Sequence, residues 1–164
     1  MKIQVINKST NNLPKYETPA SAGVDLKAEL SKINEKFLFA TRIVRNEDNT
    51  INHLIIEPGG RALIPTELYT AIPVGYEVQI RPRSGLALKQ GITVLNTPGT
   101  IDADYRNGWG VILMNNDLMN EFRVYQGDRI AQAVLAKIEQ IEWEEVDELE
   151  STERAGGFGH TGTN

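Results

Sequence analysis

The chain has 164 residues, 40% of them hydrophobic and 24% charged, which suits one folded domain with its own core and excludes disorder of the whole chain. A formal net charge of −5 provides no general basic field for nucleic acid, so a polyanionic ligand needs a local cluster of cations and donors. Cysteine is absent, which removes disulfides, thiolate nucleophiles and thiolate metal sites and fits a reducing compartment.

In chain order, Lys2 to Ile6 alternates as a half-buried strand does. Its apolar run, Ile3-Gln4-Val5-Ile6, is too short for a signal peptide or a membrane span, so a cytoplasmic protein with no membrane partner is expected. Val24 to Ala28 is a second strand candidate. Residues 31–56 contain Phe37-Leu38-Phe39, Asn46-Glu47-Asp48-Asn49 and Leu54-Ile55-Ile56, and read as two strands joined by a polar turn, a surface hairpin inserted in the domain. Leu54 to Glu57 and Arg61 to Ile64 are short strands separated by a turn at Pro58-Gly59-Gly60. Pro73-Val74-Gly75 is a further turn before the alternating run Tyr76 to Ile80. A short helix is expected over Leu86 to Gln90, with Ser84 as N-cap and Gly91 as its stop. Ile92 to Leu95, Gly110 to Met114 and Arg129 to Ile138 complete the strands. Many short strands at this spacing imply an all-β barrel or sandwich with one short helix, a domain over residues 1–150. The glycine-rich tail, 151–164, holds too little apolar surface to fold alone and needs a partner to close over.

Five segments carry candidate chemistry. Ala20-Ser21-Ala22-Gly23-Val24-Asp25-Leu26 places a carboxylate at a strand start. Arg81-Pro82-Arg83-Ser84-Gly85-Leu86 sets two arginines before a helix N-terminus, where N–H groups, the dipole and forked guanidinium donors favour phosphate. Asn96-Thr97-Pro98-Gly99-Thr100-Ile101-Asp102-Ala103-Asp104-Tyr105-Arg106 is a turn flanked by strands. Gly127-Asp128-Arg129-Ile130-Ala131-Gln132 is the fourth, and Arg154-Ala155-Gly156-Gly157-Phe158-Gly159-His160-Thr161-Gly162 the fifth. Singly, each has an ordinary reading. Asp25 and Asp128 suit turns or edges, Ser84 suits a cap, Asn96 to Gly99 suits a turn, Tyr105 suits a core and Gln132 a solvent-facing strand position. The glycines of the tail lack the setting and lysine of a P-loop. His53 and His160 are too few for a metal cluster and are read as noncatalytic.

Taken together and in order, the five segments resemble the five motifs of trimeric dUTPases, over nearly the whole chain. PRSGLA at 82–87 and GTIDADYR at 99–106 are the most specific; GDRIAQ at 127–132 and GGFGHTG at 156–162 support them. The resemblance implies a distorted jelly roll or β-barrel, assembled as a homotrimer. Its active sites would form at subunit interfaces, each closed by a neighbour's C-terminal tail. It implies hydrolysis of dUTP to dUMP and pyrophosphate by water attack on the α-phosphate, removing dUTP and supplying dUMP for thymidylate synthesis.

Residue by residue, the resemblance assigns Asn96, with the hairpin at Gly99, Thr100 and Ile101, to uracil and deoxyribose. Backbone groups would pair with the base and leave cytosine mismatched; a 5-methyl group would clash. Tyr105 is implied to pack under the deoxyribose, where a 2′-hydroxyl has no room. Asp102 is the implied catalytic residue. A carboxylate is a weak base near neutrality, so its implied work is mainly holding a water. Arg83, Ser84 and Gly85 are implied phosphate contacts, with Gln132 near the α-phosphate, Arg154 at the γ-phosphate and Phe158 stacked on uracil. Asp25 is implied to hold Mg2+ through water, the ion offsetting triphosphate charge.

Three departures from the family pattern stand out. Asn107-Gly108-Trp109 follows Tyr105-Arg106 where the family usually has Gly-Glu. Arg154 sits one residue nearer the glycine pair than usual. Residues 31–56 form a longer connection. The related dCTP deaminases share the fold but need a glutamate where this chain has Ile112, flanked by Val111 and Leu113, so that chemistry is not expected. A non-catalytic nucleotide binder on the same scaffold would not require Asp102.

Overall fold

Alternating apolar and polar side chains carry most of the chain into strands whose inward rows meet between sheets. The structure is a computed structural model and describes residues 1–153. The strands are β1 (Gln4–Asn7), β2 (Val24–Lys27), β3 (Leu38–Arg45), β4 (Ile51–Pro65), β5 (Leu68–Ala71), β6 (Tyr76–Arg81), β7 (Ile92–Val94), β8 (Gly99–Ile101), β9 (Gly110–Asn115), β10 (Phe122–Tyr125) and β11 (Arg129–Lys137). One α-helix, α1 (Ser84–Gln90), and two single 3-10 turns, Leu30–Lys32 and Glu35–Phe37, complete the described elements.

One sheet runs β10-β4-β9-β7, with β3 also on β4; a second runs β2-β11-β6-β8; β1 pairs with β5. Every paired register is antiparallel. The sheets keep free edges, so the all-β jelly-roll expectation holds in its open form and not as a closed barrel. Leu54, Ile56, Ala62 and Ile64 of β4, Val111 and Leu113 of β9, Val78 and Ile80 of β6, and Ile130, Ala131 and Ala133 of β11 fill the core. Each large aliphatic buried this way stabilises the fold by about 1.5–3 kcal/mol.

Two local expectations are corrected. Pro58-Gly59-Gly60 is not a turn between strands: β4 continues through it, and Leu54 to Glu57 and Arg61 to Ile64 are two halves of one strand. The register on β3 shifts between Phe39 and Thr41, marking a bulge. Gly59 has φ +73°, and a Cβ on Gly60 would collide with the carbonyl oxygen of Ala40, so the glycines bend the strand and let β3 approach it. Ser84 is not the N-cap of α1. Arg83 occupies that position in extended backbone, without a side-chain cap, and Ser84 is the first helical residue. Gly91 ends the helix in the left-handed conformation, φ +65°, as its position predicts.

Residues 31–56 do contain two strands and a polar turn. Asn46 N donates to Thr50 O at 2.9 Å, and Asp48 accepts from Thr50 N at 3.0 Å. The second of these strands is not surface decoration, because Leu54 and Ile56 are fully buried. Strands β5, β8 and β10 have no counterpart among the sequence-based strands. Among the described residues no helix is long and apolar enough to cross a membrane.

Candidate active site

The third motif segment folds as a hairpin-like loop hung between two sheets. Thr97 N donates to Val94 O at 3.2 Å, closing the turn after β7, and the Thr97–Pro98 peptide is cis. β8 then pairs with β6, Gly99 opposite Ile80 and Thr100 opposite Gln79. A Cβ on Gly99 would come within 3.1 Å of Asn96 Nδ2 and 3.4 Å of Ile80 Cβ, so glycine lets the Asn96 side chain fold back over the strand. Tyr105 N donates to Asp102 O at 3.2 Å, and Arg106 Nη1 donates to Ala103 O at 2.6 Å, so Asp102 opens a second tight turn.

Between these limbs lies a pocket of about 250 Å³. The expected residues Asn96, Gly99, Thr100, Ile101 and Tyr105 all line it. Sequence reasoning missed the rest of its wall, namely Leu63, Ile80, Val94, Gly108, Gly110 and Ile112, which come from four different strands and the loop before β9. Only the strand register brings them together. Ile112 faces this pocket while Val111 and Leu113 are buried in the core, so no carboxylate stands where a deaminase would need one. Asp102 is exposed, and among the described residues its side chain has no hydrogen bond or ion pair.

A second group forms where β2, β11 and β6 run side by side. Asp25 on β2 lies opposite Gln132 on β11, which lies opposite Arg81 on β6. Arg83 Nε donates to Asp25 Oδ1 at 2.9 Å, and Arg83 Nη1 to Arg129 O at 3.0 Å. Arg129 Nη1 is 3.4 Å from Asp25 Oδ2. Gln132 Nε2 donates to Pro82 O at 2.8 Å, locking the segment that leads into α1. Gly23 leaves room beneath it, since a Cβ there would lie 3.0 Å from Gln132 Oε1.

Asp25, Arg83 and Gln132 are therefore brought together, with Ser84 and Gly85 exposed at the start of α1. Among the described residues the Ser84 hydroxyl has no hydrogen-bond partner, because its expected capping bond is not made. Arg129 is an addition that sequence reasoning passed over. Perfect alternation would put Arg129 and Gln132 on opposite faces, but the bulge between Arg129 and Ala131 sets Arg129 opposite Lys27, on Asp25's side. A cleft of about 330 Å³ opens beside this group, with Lys15, Lys27 and Arg129 against Glu17 and Asp25. Asp128 takes its ordinary role: Oδ2 accepts from Tyr125 N at 2.8 Å in the turn before β11.

Glu29, buried at 1% exposure, anchors the loop on the other side of that cleft. Its carboxylate accepts from Thr10 N at 2.7 Å, Thr10 Oγ1 at 2.9 Å, Ser31 Oγ at 2.7 Å and Gln126 Nε2 at 3.0 Å. Burial pushes its pKa up, but the hydrogen bonds from Ser31, Thr10 and Gln126 outweigh that and hold it below its ordinary value.

The hairpin pocket and the Asp25 group share the β2-β11-β6-β8 sheet, Ile80 of β6 pairing with Gly99 on one side and Ala133 on the other, but no side-chain hydrogen bond or ion pair among the described residues joins them. His53 touches the Asn52 side chain and the Tyr125 ring, away from both. Arg154, Phe158 and His160 lie outside the described residues.

The dUTPase family model matches residues 50–162 of this chain. The deoxyuridine 5′-triphosphate nucleotidohydrolase of Finegoldia magna is 47% identical, with 99% of each chain covered. That of Fusobacterium nucleatum is 49% identical, over 99% of this chain and 97% of its own. Among solved structures, the dUTPase of Staphylococcus bacteriophage 80alpha with dUPNHPP superposes with a TM-score of 0.77 at 25% identity, covering 99% of each chain. A mutant dUTPase from phage phi11 of S. aureus, described with a structural Mg(II) ion, gives 0.71 at 24% identity, over 92% of this chain and 100% of its own. With half of its positions shared over nearly the full length of these enzymes, and the site segments in place on the same fold, this chain belongs to the dUTPase family.

Proposed function

We propose that the protein hydrolyses dUTP to dUMP and pyrophosphate, with water attacking the α-phosphorus. The observation that carries this reading is the hairpin pocket: aliphatic walls with the polar side chains of Asn96, Thr100 and Tyr105, lined by Ile101 next to the exposed carboxylate of Asp102 in the chain. Fixed backbone N–H and C=O groups complement one base edge, and a base with donor and acceptor reversed leaves buried groups unpaired. Tyr105 packs under the deoxyribose. Asp102 holds the attacking water in line and takes up its proton as the oxygen–phosphorus bond forms; pyrophosphate departs with the electron pair of the broken bond.

Arg83, Ser84, Gly85 and Gln132 hold the phosphates. Arg83 supplies a forked cation, and Ser84 a hydroxyl with no other bond among the described residues. The residues fit Mg2+ bound with triphosphate. After its two arginine contacts, Asp25 keeps acceptor capacity for a metal-bound water. An ion that retains most of its waters needs only one such carboxylate. When bound, Mg2+ would neutralise part of the phosphate charge.

Assembly as a homotrimer, with sites completed across subunits, rests on the family resemblance. Residues 1–150 form the domain, and residues 151–164 serve as a tail closing a neighbour's site through Arg154 and Phe158. We place the enzyme in the cytoplasm, where its product supplies thymidylate synthesis.

Incubation of the full chain with each deoxynucleoside triphosphate and with UTP, following pyrophosphate, tests the reading. Release from dUTP alone, abolished by EDTA and restored by Mg2+, is expected. Equal release from dCTP or dTTP, or none from dUTP, contradicts it.

A further inference from the structure

Behind the pocket, at the segment where this sequence departs from the family pattern, stands a ring with no assigned role. Tyr69 of β5 packs against Gly108: a Cβ at position 108 would lie 3.1 Å from Tyr69 Cζ and 3.2 Å from its hydroxyl. Gly108 lines the pocket beside Tyr105, and the Tyr105 hydroxyl reaches the Gly108 carbonyl at 3.4 Å. The next residue is clamped to the start of β5. Trp109 N donates to Leu68 O at 2.9 Å, and Trp109 O accepts from both Thr66 N and Thr66 Oγ1, each at 2.9 Å. The outgoing limb of the hairpin is thus fixed by backbone at 109 and by an aromatic ring at 108.

Tyr69 is itself held in place. Its hydroxyl donates to Glu67 Oε2 at 3.1 Å, and the Lys8 ammonium sits 4.5 Å from the ring centroid. Lys8 N also donates to Glu67 O at 2.9 Å, tying the end of β1 to the same point. Glu67 adopts a positive φ, +55°, which a side-chain-bearing residue rarely takes without surrounding constraint.

We propose that Tyr69 is a positioning residue for sugar discrimination: it holds Gly108, and through Gly108 the Tyr105 ring, against the 2′ carbon of the substrate. Tyr69 touches no substrate. The inference rests on the proposed dUTP hydrolysis and adds to it the origin of the wall's stiffness. Rejecting one extra hydroxyl by lack of space works only if the wall does not yield. A loop of Asn107, Gly108 and exposed turn residues is a weak wall on its own, and the ring behind it prevents retreat. Removing the ring leaves a void into which the loop relaxes, and a ribose 2′-hydroxyl then fits.

The test compares kcat/KM for dUTP and UTP in full-length Tyr69→Leu, Tyr69→Ala and Tyr69→Phe. Leu keeps an apolar side chain on β5 but cannot reach Gly108 as the ring does; Phe retains the ring carbons. The UTP/dUTP ratio is expected to rise about tenfold or more in Tyr69→Leu and Tyr69→Ala, and to stay within about twofold of the parent in Tyr69→Phe. General destabilisation lowers both rates together and does not move the ratio. A Tyr69→Leu enzyme that melts like the parent with an unchanged ratio overturns the inference, as does a Tyr69→Phe ratio shifted as far as that of Leu. Failure of the parent to hydrolyse dUTP would instead remove the proposed function on which the inference stands.

Discussion

The hairpin pocket around β8 and the group at β2, β6 and β11 are built from different materials. The first is glycine and aliphatic wall with uncharged polar side chains, Asn96, Thr100 and Tyr105. The second is ion pairs and side-chain hydrogen bonds: Arg83 and Arg129 on Asp25, and Gln132 on Pro82. A wall selects by shape, so small displacements matter and salt does not. A charged cluster selects by charge, tolerates small displacements and weakens with ionic strength. For an enzyme that must read a small nucleoside and hold a polyanion, the two demands fall on separate regions of one chain.

Substitutions can break this contrast. Asp102 lies at the end of the shape-selective region but is assigned to chemistry alone. Asp102→Asn is expected to lower kcat about 100- to 1000-fold with KM nearly unchanged, in steady-state pyrophosphate release. A large rise in KM with kcat preserved would move Asp102 into binding. Arg83→Ala is expected to act the other way, lowering kcat/KM for dUTP about 10- to 100-fold, chiefly through KM. The salt dependence of KM should flatten with it, while the preference for dUTP over dCTP should persist. If that preference collapses too, the two regions are not independent.

Glu29 tests the scaffold under the charged region. Glu29→Gln places an amide donor among groups that all donate, and is expected to cost about 1–3 kcal/mol of stability in denaturant unfolding. The sign of its pH dependence follows from the lowered pKa. The wild-type contribution is complete above the ordinary carboxylate value of 4.5, and is lost as pH falls through the lower folded value. The difference between variant and parent should therefore shrink in acid; a difference that grows below pH 4.5 contradicts the assignment.

Much of both regions was legible in the sequence, for reasons these residues make plain. Asp25, Arg83, Gln132, Asn96, Tyr105 and Asp102 stand in segments that singly have ordinary readings and were legible only because, in order, they resemble the dUTPase motifs. Separated parts of the fold were not legible. Pro58-Gly59-Gly60 has the composition of a turn, and only the approach of the Ala40 carbonyl explains why it is a bend inside β4. Arg129 reaches Asp25's face through a bulge that no alternation rule reveals. Ser84 has the chemistry of an N-cap, yet the helix starts one residue earlier, leaving that hydroxyl without the capping bond. Tyr69 carried no signal at all, because its meaning depends on a glycine 39 positions away in the chain.

The central claim is that water attacks the α-phosphorus of dUTP. Turnover in water enriched in heavy oxygen, followed by mass spectrometry of both products, addresses it directly. Label in dUMP and none in pyrophosphate is the predicted result; label in pyrophosphate would place the attack on the β-phosphorus and contradict the account.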